Sequence, residues 1–344
     1  MAHKNLTHLC HLISYFNNDC DVIVHIDKKS LITSEEIEKV RTLPQVKLVY
    51  QRYEVHWGGT SVLDCGMSLL EEAVRLCQTD YYHLLSGQDY PVRPLQDFLK
   101  FFEQNKGREY LQYYELPNKR WENGTFRRFQ YYYPYDYDEG RGRGWVMGQV
   151  HMQYSKGIKR PIPDEFDHLY GNSQWFSITH HAAKILLNYT HEYPSLYNKM
   201  WMTFAPEETY VSTVLVNLLD KDKLASSNLR YIRWKNENGN CPANLGEEHF
   251  RYLLDGEYFF ARKFEKDCSE GLVDLIDSYL HQEKKLETTN TGAWQYDGFL
   301  HYKYEDAFYQ FVAQFCREVC VRTAIDMGCG AGHYVARWRE DGLP

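Results

Sequence analysis

No apolar stretch in this sequence approaches the roughly 20 residues needed to cross a bilayer, and nothing near Met1 has the layout of a secretory signal. The nine cysteines include no Cys-x-x-Cys pair and no His/Cys grouping at zinc spacing, which argues against a structural zinc site. Odd in number and dispersed, they suit reduced thiols in a cytosol better than a disulfide framework. Positive charge is short: 39 Lys and Arg against 47 Asp and Glu leave a formal net charge of −8. That balance disfavours a general nucleic-acid binder. The expectation is a cytoplasmic protein, with membrane association at most peripheral and at the inner face.

What is present is a soluble globular composition, with 43% hydrophobic and 25% charged residues over 344 positions. That length holds one large domain or two. Aromatic residues reach 16%, with 29 tyrosines; tyrosine and tryptophan line sugar sites but also fill cores. Leu6, Leu9, Ile13 and Phe16 share one helical face, so residues 4–17 read as an amphipathic helix. Short apolar runs at 22–26, 45–51 and 81–86 read as interior strands. Between the last two, glycines at a turn precede a helix that Thr60 or Ser61 can cap, with Val62, Cys65, Leu69, Ala73 and Leu76 as its buried stripe. Strand, helix, strand is the grammar of a parallel sheet.

From 110 to 170 no steady period holds, and aromatics, arginines and glycines mix. Aromatic density argues against disorder, so a substrate-facing loop region is expected. Order returns with "SQWFSITHHAAKILLNY", a strand and a helix, and then "FAPEETYVSTVLVNLL", where Pro206 sits just inside a helix start with Glu207 and Glu208 in its first turn. The run "VIVHIDKKS" at 22–30 places a charge cluster where a buried strand ends. In open α/β sheets the crevice beyond the carboxyl ends of strands is where ligands bind.

Six segments occur in one order: "VHIDKKS", "HWGGTSV", "HLLSGQDYPV", "NSQWFSIT", "APEETYVST" and "YFFARKF". Together they resemble the core-2/I-branching beta-1,6-N-acetylglucosaminyltransferase family, which includes peptide O-xylosyltransferases. The resemblance covers roughly residues 1–285. It implies a GT-A-like α/β fold with a mixed, mostly parallel sheet. It also implies a nucleotide-sugar donor (UDP-N-acetylglucosamine or UDP-xylose), a glycan or protein hydroxyl as acceptor, and inversion at the anomeric carbon. A single displacement needs one base for the acceptor proton and cations for the departing diphosphate.

By the resemblance, Glu208 takes the place of the catalytic base and Asp27 that of a nucleotide-contacting carboxylate. Lys263 matches a diphosphate-contacting lysine, with Arg262 beside it. The family resembled replaces the usual metal with basic side chains, so no metal is expected; the second cation is not evident in "NGNCPANL". Arg251 or an arginine of 141–143 are substitutes for it. The Asp-x-Asp step Asp136-Tyr137-Asp138 lies in the tyrosine-rich stretch and reads as loop chemistry. Gly87 permits close backbone passage, and Asp89 is either a binding residue or a turn-former before Pro91. Trp57 reads as an anchor of its turn. Glu115, Lys119 and Arg120 are acceptor candidates, and Trp175 is placed to stack on a sugar. A catalytically inactive carbohydrate-binding protein on the same fold is the alternative, distinguished by whether UDP is released.

Two expectations concern the ends. Relatives of this kind begin with an apolar strand before a segment like "AHKN", so the first strand of a domain at 1–283 is expected to be missing. After a polar linker at 284–296, residues 297–344 contain "AIDMGCGAG", which resembles the first motif of class I S-adenosylmethionine-dependent methyltransferases at Asp326, Gly328, Gly330 and Gly332. Glycines there let backbone approach a cofactor at a helix start. The sequence stops 18 residues after Asp326, short of the second strand such a pocket needs, so a truncated, Rossmann-like and inactive segment is expected. The alternative is the N-terminal part of a bifunctional glycosyltransferase–methyltransferase.

Overall fold

The computed structural model describes residues 1–17, 19–119, 121, 124–237 and 239–287, with only the helix path for 282–287. Arg120 and the stretch containing Asp326, Gly328, Gly330 and Gly332 lie outside the described residues. The chain divides into two units, Met1–Leu280 and His281–Pro344. Every site residue discussed below belongs to the first.

Helix α1 (Leu6–Tyr15) starts where the Asn5 side chain accepts the His8 N–H, and it buries Leu6, Leu9, Leu12 and Ile13. Strand β1 (Val22–His25) runs parallel to β2 (Val46–Tyr50). Between them lies α2 (Ser34–Arg41), begun by a reciprocal capping box of Thr33 and Glu36. Helix α3 (Thr60–Leu76) then leads to β3 (Tyr81–His83), β4 (Asp89–Pro91), α4 (Leu95–Gln104) and β5 (Glu109–Glu115). The stretch expected to be irregular contains the short α5 (Arg127–Gln130) and a full helix, α6 (Gly142–Ser155). Three glycines and a weak apolar stripe hide α6 in the sequence. It is held by Val146 and Val150, buried against Tyr131, Tyr133 and Tyr135.

Strand β6 (Tyr170–Thr179), α7 (His180–Glu192), α8 (Pro194–Lys199) and α9 (Tyr210–Leu218) follow. The chain continues through β7 (Leu224–Ala225), β8 (Arg230–Ile232), α10 (Phe250–Asp255), β9 (Phe260–Arg262) and α11 (Lys266–Glu287). The strands form three sheets: β1-β2, β3-β6-β5-β7 and β4-β9-β8. Three of the six pairings are antiparallel, namely β3–β6, β5–β6 and β4–β9. The expected mostly parallel sheet is therefore corrected to an even mixture. Two of these three come from β6, which returns from the long 116–169 excursion and runs opposite to both neighbours instead of entering by a right-handed crossover. The largest core packs Leu63, Met67 and Leu70 of α3 against α7 and α9 through Leu186, Val214 and Leu215. Leu76, expected in the buried stripe of α3, is 40% exposed. No helix among the described residues is long and apolar enough to cross a membrane.

Helix α3 is not capped by its own residues. Its N-cap is Gly59, and the Asp136 carboxylate, 76 positions along the chain, accepts the Thr60 N–H at 2.7 Å. The same carboxylate accepts the Ser61 N–H at 3.3 Å and the Ser61 hydroxyl at 2.5 Å. A Cβ on Gly59 would collide with that carboxylate, so the position requires glycine. Asp138 in turn accepts the N–H groups of Gly140 and Gly142. Both carboxylates of the Asp-x-Asp step thus serve backbone. Removing a helix cap costs about 1 kcal/mol and up to about 2. Asp136→Ala is expected to lower the unfolding free energy measured in urea by that much, and Gly59→Ala to do likewise; an unchanged midpoint in both would show that the carboxylate caps nothing.

Candidate active site

Glu208 closes a 3-10 turn, Pro206–Glu208, entered through Ala205 in the left-handed region at φ 45°. The turn is pressed onto β6: a Cβ at Gly171 would stand 2.7 Å from the Glu208 carbonyl oxygen. Glycine at 171 lets turn and strand meet. Glu208 Oε2 accepts from Arg128 Nη2 at 2.9 Å, and the Arg128 side chain is only 2% exposed. Its guanidinium lies 4.3 Å over the Trp121 ring. Arg128 Nε and Nη1 have no partner among the described residues. A buried cation of this kind needs its anion, because an unpaired charge away from water is costly.

Glu207 sits beside this pair with a buried Oε2 that has no hydrogen-bond partner. Burial, then the charge of Glu208, pushes its pKa up to about 8. Burial also raises the Glu208 pKa, opposed by Arg128. Two adjacent carboxyls next to one cation divide the work: Glu208 carries the charge and Glu207 the proton. Neither Arg128 nor Glu207 stood out in the sequence. Arg128 is one of several arginines in an aperiodic stretch, and Glu207 looked like a helix-start acid.

Four residues further along β6, roughly 13 Å away at strand rise, Trp175 is 5% exposed. The Arg262 guanidinium covers its ring at 4.0 Å. Arg262 Nε lies 3.7 Å from Asp89 Oδ1, and Asp89 Oδ2 accepts the Ser86 N–H at 2.9 Å. Asp89, Arg262 and Trp175 therefore contact one another inside the protein. This differs from the expected open stacking face on Trp175, whose face Arg262 occupies. Gly87 admits the chain start: its N–H donates to the Met1 carbonyl at 2.7 Å, and a Cβ there would lie 3.0 Å from the Ala2 methyl.

Lys263 follows β9 and is half-buried, with no ion pair to its ammonium among the described residues. Burial, then Arg262, lowers its pKa. Around it lie Glu265 and Lys4, which pair at 2.5 Å. Asp27 follows β1 directly. Its Oδ1 accepts the N–H groups of Lys29 at 3.0 Å and Val55 at 3.2 Å, and the Lys29 ammonium stands 3.1 Å from Oδ2. His3 feels Lys4, Asp27, Glu265 and Lys29 together, and burial above all lowers its pKa. The strand ends thus gather Lys4, Lys29 and Lys263 with Asp27 and Glu265. Of the substitutes considered for a second cation, Arg251 is exposed beside Asp255 at 3.9 Å. Arg141 lies 3.7 Å over Trp145, and Arg143 5.8 Å over Trp57. Lys4 was missed because 261 positions of chain separate it from its partner Glu265, and Lys29 because, two residues from Asp27, it read as one of a cluster of charges at a strand end.

The acceptor candidates divide. Glu115 ends β5, exposed and 2.8 Å from His168 Nδ1. Lys119 is exposed in the turn after it. Trp121, the last residue of that segment, is the one placed beside Glu208, through Arg128. Trp57 is 64% exposed, with its edge on Tyr135 and Phe204. This corrects the expectation that it anchors its turn to the core.

The Glu207 carboxyl has a measurable consequence. The folded chain keeps a proton there that the unfolded chain releases at ordinary carboxylate pH, so stability falls as pH rises from about 5 to 8. Glu207→Gln is expected to decline less than the parent over that range. Parallel melting curves for the two would show that no charge is being forced into a buried site.

Comparison with known proteins adds to the geometry. Residues 5–253 match the family described as Branch: Core-2/I-Branching enzyme. Xylosyltransferase 2 of Pan troglodytes and that of Homo sapiens are each 25% identical over 280 residues, covering 75% of this chain and 30% of theirs. Xylosyltransferase oxt of Drosophila pseudoobscura pseudoobscura is 24% identical over 296 residues, covering 79% of this chain and 32% of its own. The chain thus spans about a third of the length of these curated relatives.

Proposed function

The chain belongs to the Core-2/I-branching enzyme family, and on that footing we propose that it is a glycosyltransferase of GT-A-like fold acting by single displacement with inversion. The observation that carries this reading is a half-buried, cation-held carboxylate, Glu208, packed against β6, together with a lysine-rich mouth gathered before α1, after β1 and after β9. Glu208 accepts the proton of an acceptor hydroxyl. The freed oxygen attacks the anomeric carbon, a new glycosidic bond forms, and the bond to the diphosphate breaks with its electron pair leaving on UDP. The charge that develops there meets Lys263, with Lys4 and Lys29 as the further cations that an upstream arginine supplies elsewhere. Asp27, at the end of β1, accepts from ribose hydroxyls or the uracil N–H.

Arg128 holds the base in place and keeps it ionised, while burial raises its proton affinity toward the pH at which a base works best. The relatives' names favour a xylosyl donor; UDP-N-acetylglucosamine is the other candidate. The acceptor is a glycan or protein hydroxyl, approaching past Trp57 and Trp121. Metal independence is part of the proposal, supported by the lysines at the mouth and by the use of Asp136 and Asp138 on backbone N–H groups.

Incubation with each UDP-sugar and an acceptor mixture is expected to release UDP from one donor, unchanged by EDTA. Glu208→Gln is expected to retain donor binding and lose at least about 100-fold in kcat. Near-normal turnover in that variant would remove Glu208 from the role. Loss of activity on chelation, restored by manganese, would overturn the lysine-only arrangement. Lys263→Ala is expected to weaken UDP binding and lower kcat together, because the same cation meets the diphosphate in ground and transition state.

A further inference from the structure

Helices α7 and α8 and the segment 158–165 frame an open cavity of about 1380 Å³ that Glu208 does not line. Pockets of roughly 300–1,000 Å³ suffice for a drug-sized ligand, so this one has room for more than a single sugar ring. Its charges are spent on one another. Lys199 pairs with Asp164 at 2.5 Å and Glu165 at 2.6 Å, and the Ser195 hydroxyl donates to Glu165 at 2.5 Å. The Arg160 guanidinium lies 4.5 Å over the Tyr132 ring and donates to the Lys199 carbonyl at 2.7 Å. Lys159, Arg160 and Lys199 stand against Glu165, Glu192 and the adjoining Asp164, three cations to three carboxylates. A phosphate or sulfate finds no surplus of positive charge here.

What is left free is flat or neutral. Tyr193 is 60% exposed and Trp201 48%, large values for rings that burial would stabilise. Tyr193 leans on Tyr189 at 5.5 Å with one side of its ring only. Asn188 and Glu192, one turn apart on α7, and Asn198 on α8 are exposed, and their side chains bond to nothing among the described residues. An amide donates and accepts and a carboxylate accepts, which is what neighbouring hydroxyls require. The exposed rings suit the apolar C–H faces of the same molecule. No strand lines the cavity, so an extended peptide has no sheet edge to join. Trp201 also starts a connection to Glu208. Its Nε1 donates to the Tyr137 hydroxyl at 3.3 Å. Tyr137 shares the turn Tyr135–Tyr137 with Tyr135, whose ring meets Trp57 at 5.6 Å and Phe204 at 5.8 Å. Phe204 lies 5.6 Å from the Arg128 guanidinium that holds Glu208. The exposed rings of Trp201, Tyr137 and Trp57 thus mark a route from the cavity to the carboxylate.

We propose that this cavity is a second saccharide site, holding an uncharged oligosaccharide part of the acceptor at a distance from the hydroxyl that reacts. Tyr193 and Trp201 supply its ring faces, and Asn188, Glu192 and Asn198 its hydrogen bonds. That the occupant belongs to the acceptor rests on the glycosyltransferase reading; the binding itself does not.

The test applies the full chain to an array of neutral, sialylated and sulfated oligosaccharides. The strongest neutral tetrasaccharide is then titrated by calorimetry and followed at the Trp201 indole N–H signal. Binding is expected at a Kd of about 1 mM or tighter, with that signal shifting. Tyr193→Ala and Trp201→Ala are each expected to weaken it at least about fivefold. Trp201→Phe, which keeps a ring, is expected to retain most of it, and Glu208→Gln to bind as the parent does. With donor present, Tyr193→Ala is expected to raise KM for that tetrasaccharide at least about fivefold, a far larger change than in kcat. Failure of every neutral oligosaccharide to bind, or a preference for sulfated ones, would overturn the proposal. So would binding indifferent to both alanine variants while they melt like the parent, or an unglycosylated peptide library occupying the cavity in place of sugar. UDP release without saccharide binding at the cavity would remove this site and leave the glycosyltransferase reading standing. Saccharide binding without UDP release from any donor would keep the site and remove that reading.

Discussion

A guanidinium buried to 2% of its side-chain surface must be paired, and Arg128 has one carboxylate to pair with, that of Glu208. Much of the local architecture follows from this. The turn carrying Glu208 is pressed onto β6 at a glycine, and Trp121 covers the open face of the guanidinium. Removing Glu208 strands the Arg128 charge in a place water scarcely reaches. The carboxylate is thereby fixed in position, ionised, and raised in proton affinity by the same burial that makes its partner necessary.

Strand β6 converts this local device into a site. It lies between β3 and β5, antiparallel to both, and so runs through the middle of the largest sheet. Gly171 on it supports Glu208 and Trp175 supports Arg262, the neighbour of Lys263. A strand held in a sheet sets the spacing between Glu208 and Arg262 better than a loop does. The charged mouth itself is assembled from chain ends and connections: Lys4 before α1, Lys29 after β1, Lys263 and Glu265 after β9.

The long stretch between β5 and β6 supports the rest instead of decorating it. Asp136 within it caps α3 from a distance, and the tyrosines around it bury α6. That is why glycine at 59 and acid at 136 depend on each other. A polar residue doing a helix-capping job across 76 positions leaves no local mark, and the Asp-x-Asp pattern it belongs to invites a different chemical reading.

By itself, the sequence determined the elements with strong periodicity or end signals: α1, β1, β2, α3, β3, β6 and α7, and the turn that presents Glu208. Its ordered segments also carried the family to which the chain belongs. These are local properties, written within a turn or two of chain. Only tertiary structure decided which strands are neighbours, that three of six pairings run antiparallel, and that Asp89, Arg262 and Trp175 face one another. It alone chose Arg128 from among the arginines as partner of Glu208, and Lys4 and Lys29 as companions of Lys263. Burial and pairing are relations between residues far apart in the chain, and they acquire an energy only when the fold removes water from between them.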